Sequence, residues 1–153
     1  MTRIGGRQMY KRILVAIENS PADRTILDHV ERLARLTGGS LLLVHVADGW
    51  AARHYDELQL RESEEMIADR EYLERLRTEL QAAGFVADAC LRTGDPAKEL
   101  VKLIREENVD LVAMATHGHT GMADVIHGST VNHVRHHVTV PVLLLRAQPP
   151  PQP

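Results

Sequence analysis

Five apolar segments along the chain predict β-strands. Four of them are continuous apolar runs rather than alternations of apolar and polar residues, a pattern typical of strands buried on both faces of a sheet. The fifth, over residues 85–91, contains Asp88 and stops before Gly94-Asp95-Pro96, so it predicts an edge strand. The four continuous runs cover residues 13–17, 41–44, 111–115 and 140–145.

Between the strands, apolar residues recur at a spacing of three or four, which predicts four helices. Ser20 is the predicted N-cap of the first helix, and Gly38-Gly39 closes it. The second helix is long, over about residues 57–83, and its dense mixed charge predicts a solvated face. The third begins with Asp95-Pro96 as its cap and first helical residue. The four apolar stripes are Ile26, Val30, Leu33 and Ala34; Leu73, Leu76, Leu80 and Ala83; Ala97, Leu100, Val101 and Ile104; and Val131, Val134 and Val138.

The strict alternation of strands and helices predicts an α/β fold with an open, mainly parallel sheet wound by right-handed crossovers. The 153 residues, 44% of them hydrophobic, suffice for one core but not for two ordinary domains. We therefore predict a single domain over residues 9–146. Gly5, Gly6 and the four prolines of residues 147–153 predict disordered ends, residues 1–8 and 147–153.

Charge and cysteine content exclude several classes of protein. With 18 Lys and Arg against 21 Asp and Glu, the net charge is −3, which argues against nucleic-acid binding. The only cysteine, Cys90, cannot form an intramolecular disulfide, and no signal-peptide pattern is present, so a cytoplasmic location is expected. The apolar runs fall far short of the roughly 20 residues that a membrane-spanning helix needs.

Two loops at the carboxyl ends of predicted strands carry the candidate chemistry. Ligands of open α/β sheets bind at this edge, where the strand order reverses. Residues 17–20 follow the first strand, and the glycine-containing residues 115–121 follow the fourth, before Gly128-Ser129-Thr130 begins a helix. Glycines and free amides at a helix start favour a phosphate. The alternative is that these glycines only turn the chain and that Gly128-Ser129 caps the helix.

At this point the chain resembles the universal stress protein family over nearly all of residues 10–146. The similar segments, in order, are residues 10–17, 41–46, 94–97, 110–121 and 140–146. ATP-binding members carry a glycine, two residues, a second glycine, nine residues and then Gly-Ser or Gly-Thr. Gly118 and Gly128-Ser129 match the latter part, Ala115 replaces the first glycine, and Glu18 stands where binders usually have aspartate. The extra methyl of Ala115 is tolerated where φ is negative and harmful where it is positive.

The resemblance implies a Rossmann-like sheet of the adenine nucleotide alpha hydrolase type, with strand order 3-2-1-4-5. It implies adenine near Val46 and Ile17, the ribose or metal side near Glu18, and the phosphates near Gly118 and Gly128. ATP with Mg²⁺ is the implied ligand, and the Mg²⁺ would use few protein ligands. The implied binding residues are Ala16, Ile17, Glu18, Val46, Met114, Ala115, His117, Gly118, Gly128, Ser129, Thr130 and Val131.

The favoured hypothesis is thus a universal stress protein that binds ATP as a regulatory ligand in the stress response. A two-fold homodimer is expected through the last apolar run, which begins at Val140 and ends at Leu145, together with a protein partner that the sequence does not identify. A dedicated enzyme is not expected, because no P-loop, dinucleotide fingerprint or nucleophile elbow is present; slow ATP hydrolysis at most would accompany binding. The alternative is a nucleotide-free dimeric interaction protein, motivated by Ala115 and Glu18.

Histidines motivate a third, minor hypothesis of metal binding. Six of the nine fall within 21 residues, and the spacing of His133, His136 and His137 could place two imidazoles together on a helix. At 100° per residue, however, these three point away from the valine stripe, which predicts a solvent-facing polar side. His45, inside a buried-type strand, is predicted to be a hydrogen-bonded core residue rather than a ligand.

Overall fold

The chain alternates strands and helices from its first strand to its last. The computed structural model describes residues 8–48, 55–116 and 128–147. The predicted order of elements is confirmed. The elements are β1 (Arg12–Ala16), α1 (Ala22–Thr37), β2 (Ser40–Asp48), α2 (Tyr55–Ala82), β3 (Ala87–Gly94), α3 (Pro96–Glu106), β4 (Leu111–Thr116), α4 (Gly128–His137) and β5 (Val142–Arg146).

The described strands form one sheet in the order β3-β2-β1-β4-β5, and all neighbouring pairs are parallel. This confirms the expected order. Leu14 of β1 pairs with Leu42 on one side and with Val112 on the other, which places β1 at the centre of the sheet. The predicted edge position of the third strand is also confirmed, although β3 runs on to Gly94.

Two hydrophobic cores cover the two faces of the sheet. Ile13 and Val15 of β1 lie in a core formed with α1 and α2, whereas Leu14 and Ala16 lie in a core formed with α3 and α4. Residues 13–16 are at most 2% exposed. The uninterrupted apolar run of β1 therefore has the expected cause, since successive side chains point to opposite faces and both faces are dry.

Local signals place most helix ends correctly. α1 ends at Gly38, whose φ of 72° is the left-handed conformation that glycine adopts at low cost. α3 begins as predicted, with Pro96 in its first turn and the Asp95 side chain accepting the amide of Lys98. The N-cap prediction for Ser20 is wrong by one residue: α1 begins at Ala22, with Pro21 as its cap.

Two further details differ from the expectation or lie outside the described residues. Ala83 is exposed in the turn after α2, so the buried stripe of that helix ends at Leu80. The predicted disordered ends fall almost entirely outside the described residues and stay a prediction. Two residues of these predicted ends are described: Gln8 donates to the carbonyl of Thr37 at 2.9 Å, and Ala147 donates to the carbonyl of Thr116 at 2.7 Å.

Among the described residues, no helix has both the length and the apolar character needed to cross a membrane.

Candidate functional site

The carboxyl ends of β1 and β4 lie side by side at one edge of the sheet. After β1 the chain turns to α1 on one face, and after β4 it continues to α4 on the other. In doubly wound sheets this switch point is where ligands bind. The carboxyl ends of β1, β2 and β4 and the start of α4 all lie along this edge.

The loop from β1 to α1 is organised by the Asp23 carboxylate. Asp23 is 2% exposed and accepts three consecutive amides: Oδ1 from Glu18 at 2.9 Å, and Oδ2 from Asn19 at 2.8 Å and from Ser20 at 3.1 Å. Three amides that converge on one point form an anion site, and here the side chain of the protein fills it. Asp23 was not among the residues predicted from the sequence; its signal was an acidic residue three positions after Ser20.

Tyr72 of α2 completes the environment of this carboxylate. Its hydroxyl donates to Asp23 Oδ2 at 2.8 Å. Burial raises the pKa of Tyr72 above its ordinary value, and the charge and hydrogen bond of Asp23 raise it further, because both favour the protonated phenol. The loop is therefore held to α2 as well as to α1.

A second set of contacts joins the same loop to β2 and α2 through His45. The His45 ring, in a residue 5% exposed, has Nδ1 2.8 Å from the carbonyl oxygen of Ile17 and Nε2 3.2 Å from Asp69 Oδ2. Asp69 Oδ1 accepts from the side chain of Asn19 at 3.0 Å. The prediction that His45 is a hydrogen-bonded core histidine is confirmed. Its partner Asp69 was not predictable, because it comes from a different element.

Glu18 lies two residues after the end of β1 and is half-buried in this loop. Its Oε2 accepts from the hydroxyl of Ser20 at 3.0 Å. Ser20 Oγ in turn accepts the amide of Ala22 at 3.3 Å, so the serine helps to close the turn into α1. The Glu18 carboxylate is thereby tied to its own loop at the end of the strand.

The end of β2 complements this loop with backbone groups. The amide of Ile17 donates to the carbonyl of Val44 at 2.7 Å, so the Val44 carbonyl points toward β1. Alternate residues of a strand direct their backbone groups to the same side. Val46 therefore directs its amide and carbonyl that way too, beyond Ala16, where β1 ends.

The substituted position Ala115 lies inside β4. Positive φ among the described non-glycine residues occurs only at Tyr10, Asn19 and Asn108, so Ala115 has none of the strain that an alanine in place of glycine could cause. Ala115 is 1% exposed and packs in the core beneath α1, while its neighbour Met114 is fully buried on the opposite face. The extra methyl is accommodated by the core.

The start of α4 holds the remaining predicted residues that the structure describes. Gly128 and Ser129 are exposed, whereas Thr130 and Val131 are each 7% exposed. A Cβ added to Gly128 would meet no atom within 4 Å. His117 and Gly118 lie outside the described residues, so their implied roles stay predictions.

The four helices differ in how their N-termini are neutralised. The first turn of α1 contains Asp23, and α3 has Asp95 as its cap and Glu99 in its first turn. α2 starts with Tyr-Asp-Glu. The first turn of α4 contains no acidic residue and consists of glycine and hydroxyl side chains. α4 is therefore the described helix whose positive end is left without an acidic side chain of its own first turn.

The histidines of α4 do not form a metal site in the described part of the chain. His133 and His137 stack with ring centroids 4.0 Å apart, and His137 Nδ1 lies 2.8 Å from the carbonyl oxygen of His133. His136 and His137 are exposed, as the helical spacing predicted, and His133 is half-buried. No group of three or more His, Cys, Asp or Glu with metal-binding geometry occurs among the described residues.

Comparison with known proteins adds three relatives. The universal stress protein MJ0577 of Methanocaldococcus jannaschii is 27% identical over 90% of this chain and 96% of its own length. Its solved structure superposes with a TM-score of 0.79 at 26% identity, covering 92% of this chain and 98% of that one. Two more distant solved structures share the fold. One is a universal stress protein from Archaeoglobus fulgidus in complex with dAMP, 21% identical with a TM-score of 0.66 over 89% of this chain and 98% of that one.

The other is a universal stress protein in complex with cAMP, 19% identical with a TM-score of 0.64 over 92% of this chain and 99% of that one. The model of the Universal stress protein family matches residues 9–146, which include every described strand and helix. The chain belongs to the universal stress protein family.

Proposed function

We propose that this protein binds an adenine nucleotide, ATP with Mg²⁺, between the ends of β1 and β4 as a regulatory ligand in the stress response. The observation that carries the proposal is the N-terminus of α4. Its first turn has no acidic residue, and it lies at the edge of the sheet where the strand order reverses. The dAMP and cAMP complexes of the two distant relatives support an adenine nucleotide as the ligand class.

The phosphates would lie against the first turn of α4. Its amides and the positive end of its dipole favour an anion, and the hydroxyls of Ser129 and Thr130 add donors. Phosphate oxygens need close approach to the backbone, and the space beside Gly128 is open in this structure. The equivalent position of α1 is already filled by Asp23, so that helix does not compete for the anion.

The adenine would lie at the ends of β1 and β2, against Ala16, Ile17 and Val46. The backbone groups of Val46 that face past the end of β1 suit the donor and acceptor edge of a base. The amide of Ile17 is engaged by Val44, and its carbonyl by His45. Recognition would therefore depend on Val46, with Met114 and Val131 contributing buried apolar support.

A magnesium ion would be held chiefly by the phosphates, and Glu18, after the end of β1, would be its protein carboxylate. This fits the described residues, because they provide one half-buried carboxylate there rather than a dedicated metal cluster. Mg²⁺ commonly retains several waters and uses one or two carboxylates. It would neutralise the phosphate charge and orient the triphosphate.

The remaining parts of the proposal concern assembly and location. We infer a single cytoplasmic domain over residues 9–146 that forms a homodimer through β5. This strand is at the sheet edge, and Leu144 on it is 42% exposed. An apolar edge strand is a template for pairing with a second copy. Occupancy by ATP would change the surface or the assembly that a protein partner recognises.

Native mass spectrometry of the purified protein, followed by calorimetric titration with Mg-ATP, tests the nucleotide proposal. Gly128→Glu places a carboxylate where the phosphates would lie and should weaken ATP binding by at least about 100-fold through steric overlap and like-charge repulsion. Asn132→Glu is the matched control, because Asn132 is exposed on the same helix and its replacement changes the net charge equally. This control should bind within about threefold of the wild type, since its charge lies more than a turn away.

A wild-type dimer that takes up no nucleotide would refute the proposal and favour the nucleotide-free interaction protein. Equal weakening in Gly128→Glu and Asn132→Glu would refute the position of the phosphates, because general charge repulsion would then explain both. A monomer at micromolar concentration in analytical ultracentrifugation would refute the homodimer.

A further inference from the structure

One face of α2 contacts the β1–α1 loop, which contains Glu18. Asp69 and Tyr72 are three positions apart and therefore on the same side of the helix; Asp69 contacts the loop itself, and Tyr72 contacts Asp23 of α1, which binds the amides of the loop. Asp69 holds the side chain of Asn19 at 3.0 Å, and Tyr72 holds Asp23 at 2.8 Å. Leu73, the next residue, is 2% exposed in the core, so this part of α2 is firmly packed.

His45 joins Asp69 to Ile17, the residue that follows β1, through its two ring nitrogens. Nδ1 faces a carbonyl oxygen at 2.8 Å, and a carbonyl can only accept a hydrogen bond. Nε2 faces a carboxylate oxygen of Asp69 at 3.2 Å, and an ionised carboxylate can only accept as well. Each ring nitrogen of His45 thus lies within hydrogen-bonding distance of an oxygen atom, so the ring bridges Ile17 and Asp69.

The conformation of Asn19 shows why the loop needs such a tether. Its φ of 62° lies in the left-handed region, which is unfavourable for most residues and tolerated by asparagine. The amide of Asn19 is held by Asp23 at 2.8 Å and its side chain by Asp69. The contacts to its backbone amide and to its side chain together hold Asn19 in a conformation that would otherwise relax. Glu18 is the preceding residue, so it is held in place as well.

We propose that Asp69 is a positioning residue for the nucleotide site: through His45 and Asn19 it holds the β1–α1 loop, and with it the Glu18 carboxylate, in place. This inference rests on the proposed function. Because Glu18 is the chain neighbour of Asn19, loss of the Asp69 contact to Asn19 should loosen Glu18 and weaken nucleotide binding.

Two substitutions at Asp69 separate positioning from general stability. Asp69→Ala removes both contacts and should weaken Mg-ATP binding about tenfold, the effect of losing one hydrogen bond to a charged group. Asp69→Asn should restore binding to within about threefold, because its oxygen can accept from Asn19 and its amino group can donate to His45. Glu71→Ala, which replaces an exposed acid on the same helix, is the control and should leave binding unchanged.

Amide hydrogen exchange of residues 18–20 in the nucleotide-free protein tests the tether independently of binding. Asp69→Ala should accelerate exchange there about tenfold relative to Glu71→Ala, and Asp69→Asn should not. Asn19→Gly, which keeps the positive φ and removes the side-chain contact, should also accelerate exchange and covers the case in which Asp69→Ala does not fold.

The outcomes distinguish this inference from the proposed function. If the wild type binds no ATP, the proposed function fails, and faster loop exchange in Asp69→Ala with rescue by Asp69→Asn still supports the tether. If the wild type binds ATP but Asp69→Ala binds equally well, the positioning role is overturned. Unchanged loop exchange in both Asp69→Ala and Asn19→Gly also overturns it.

Discussion

Replacing Asp23 by asparagine removes one charge and one acceptor from the side chain in the first turn of α1 that binds three amides of the β1–α1 loop. The carboxylate receives the amides of Glu18, Asn19 and Ser20 and the hydroxyl of Tyr72, all between 2.8 and 3.1 Å. An asparagine has nearly the same shape, so the variant creates no cavity. Any loss of stability then reports the hydrogen bonds and the charge.

The expected loss follows from the geometry of the two oxygens. Oδ1 accepts one donor and Oδ2 accepts three, so the amide turns its oxygen toward Asn19, Ser20 and Tyr72. Its amino group then faces the backbone amide of Glu18. Both groups are donors, so neither has an acceptor there. One lost hydrogen bond to a charged group costs about 1.5–3 kcal/mol, and three weakened ones add to it, so we expect a loss of about 3 kcal/mol. For a chain of this size that lowers Tm by about 6–12 °C.

Urea unfolding followed by circular dichroism measures this difference, with a thermal melt as a second measure. Asp28→Asn on α1 is the matched control, because Asp28 is 62% exposed at the side chain and its ion pair with Arg24 spans 3.8 Å. An exposed pair of this kind contributes less than about 0.5 kcal/mol. If Asp23→Asn lowers the free energy of unfolding by less than about 1 kcal/mol, or by no more than Asp28→Asn does, the hydrogen bonds from the three loop amides to Asp23 do not stabilise the loop.

Three other predictions follow from described contacts. Burial and Asp23 raise the pKa of Tyr72 above its ordinary 10.0, so the contribution of Tyr72 to stability is complete below about pH 10 and declines above it. Tyr72→Phe should therefore flatten the dependence of the free energy of unfolding on pH between about pH 9 and 11. An unchanged slope in urea titrations over this pH range would contradict the prediction. Gly39→Ala should destabilise by about 3 kcal/mol or more, because its Cβ would overlap the backbone oxygen of Tyr10, whereas Gly84→Ala, with φ of 94° and open space, should lose only about 1–2 kcal/mol in the same assay. Leu144→Lys places a charge on the exposed edge strand and should give a monomer by analytical ultracentrifugation with little change in Tm; a retained dimer would place the interface elsewhere.

Local chemistry encoded much of the fold in the sequence. The apolar run of β1 predicted a strand buried on both faces, and Asp95-Pro96 predicted the start of α3, because each signal acts within a few residues. The same local reading was wrong for Ser20. Its hydroxyl is shared between Ala22 and Glu18, and the loop amides are taken by Asp23, which reaches back from inside the helix.

The family resemblance led to the strand order and to the carboxyl edge of the sheet as the candidate site. It did not identify Asp23, Asp69 or Tyr72, which arrange the loop there. A single chain shows that each is polar and helical, but not that Asp69 and Tyr72 meet residues about 50 positions away. That meeting depends on how α2 crosses the sheet, which long-range packing decides.

The sequence by itself determined the alternation of strands and helices, the buried faces and the presence of Gly128-Ser129-Thr130 at a helix start, because periodicity and capping are properties of neighbouring residues. Only the tertiary structure decided that the Ala115 methyl fits in the core beneath α1, and that His45 stands between two acceptors. The physical reason is that the space around a buried side chain and the partners of a buried polar group depend on elements brought together in space. Hydrogen bonds must be satisfied there by whichever side chains the packing supplies.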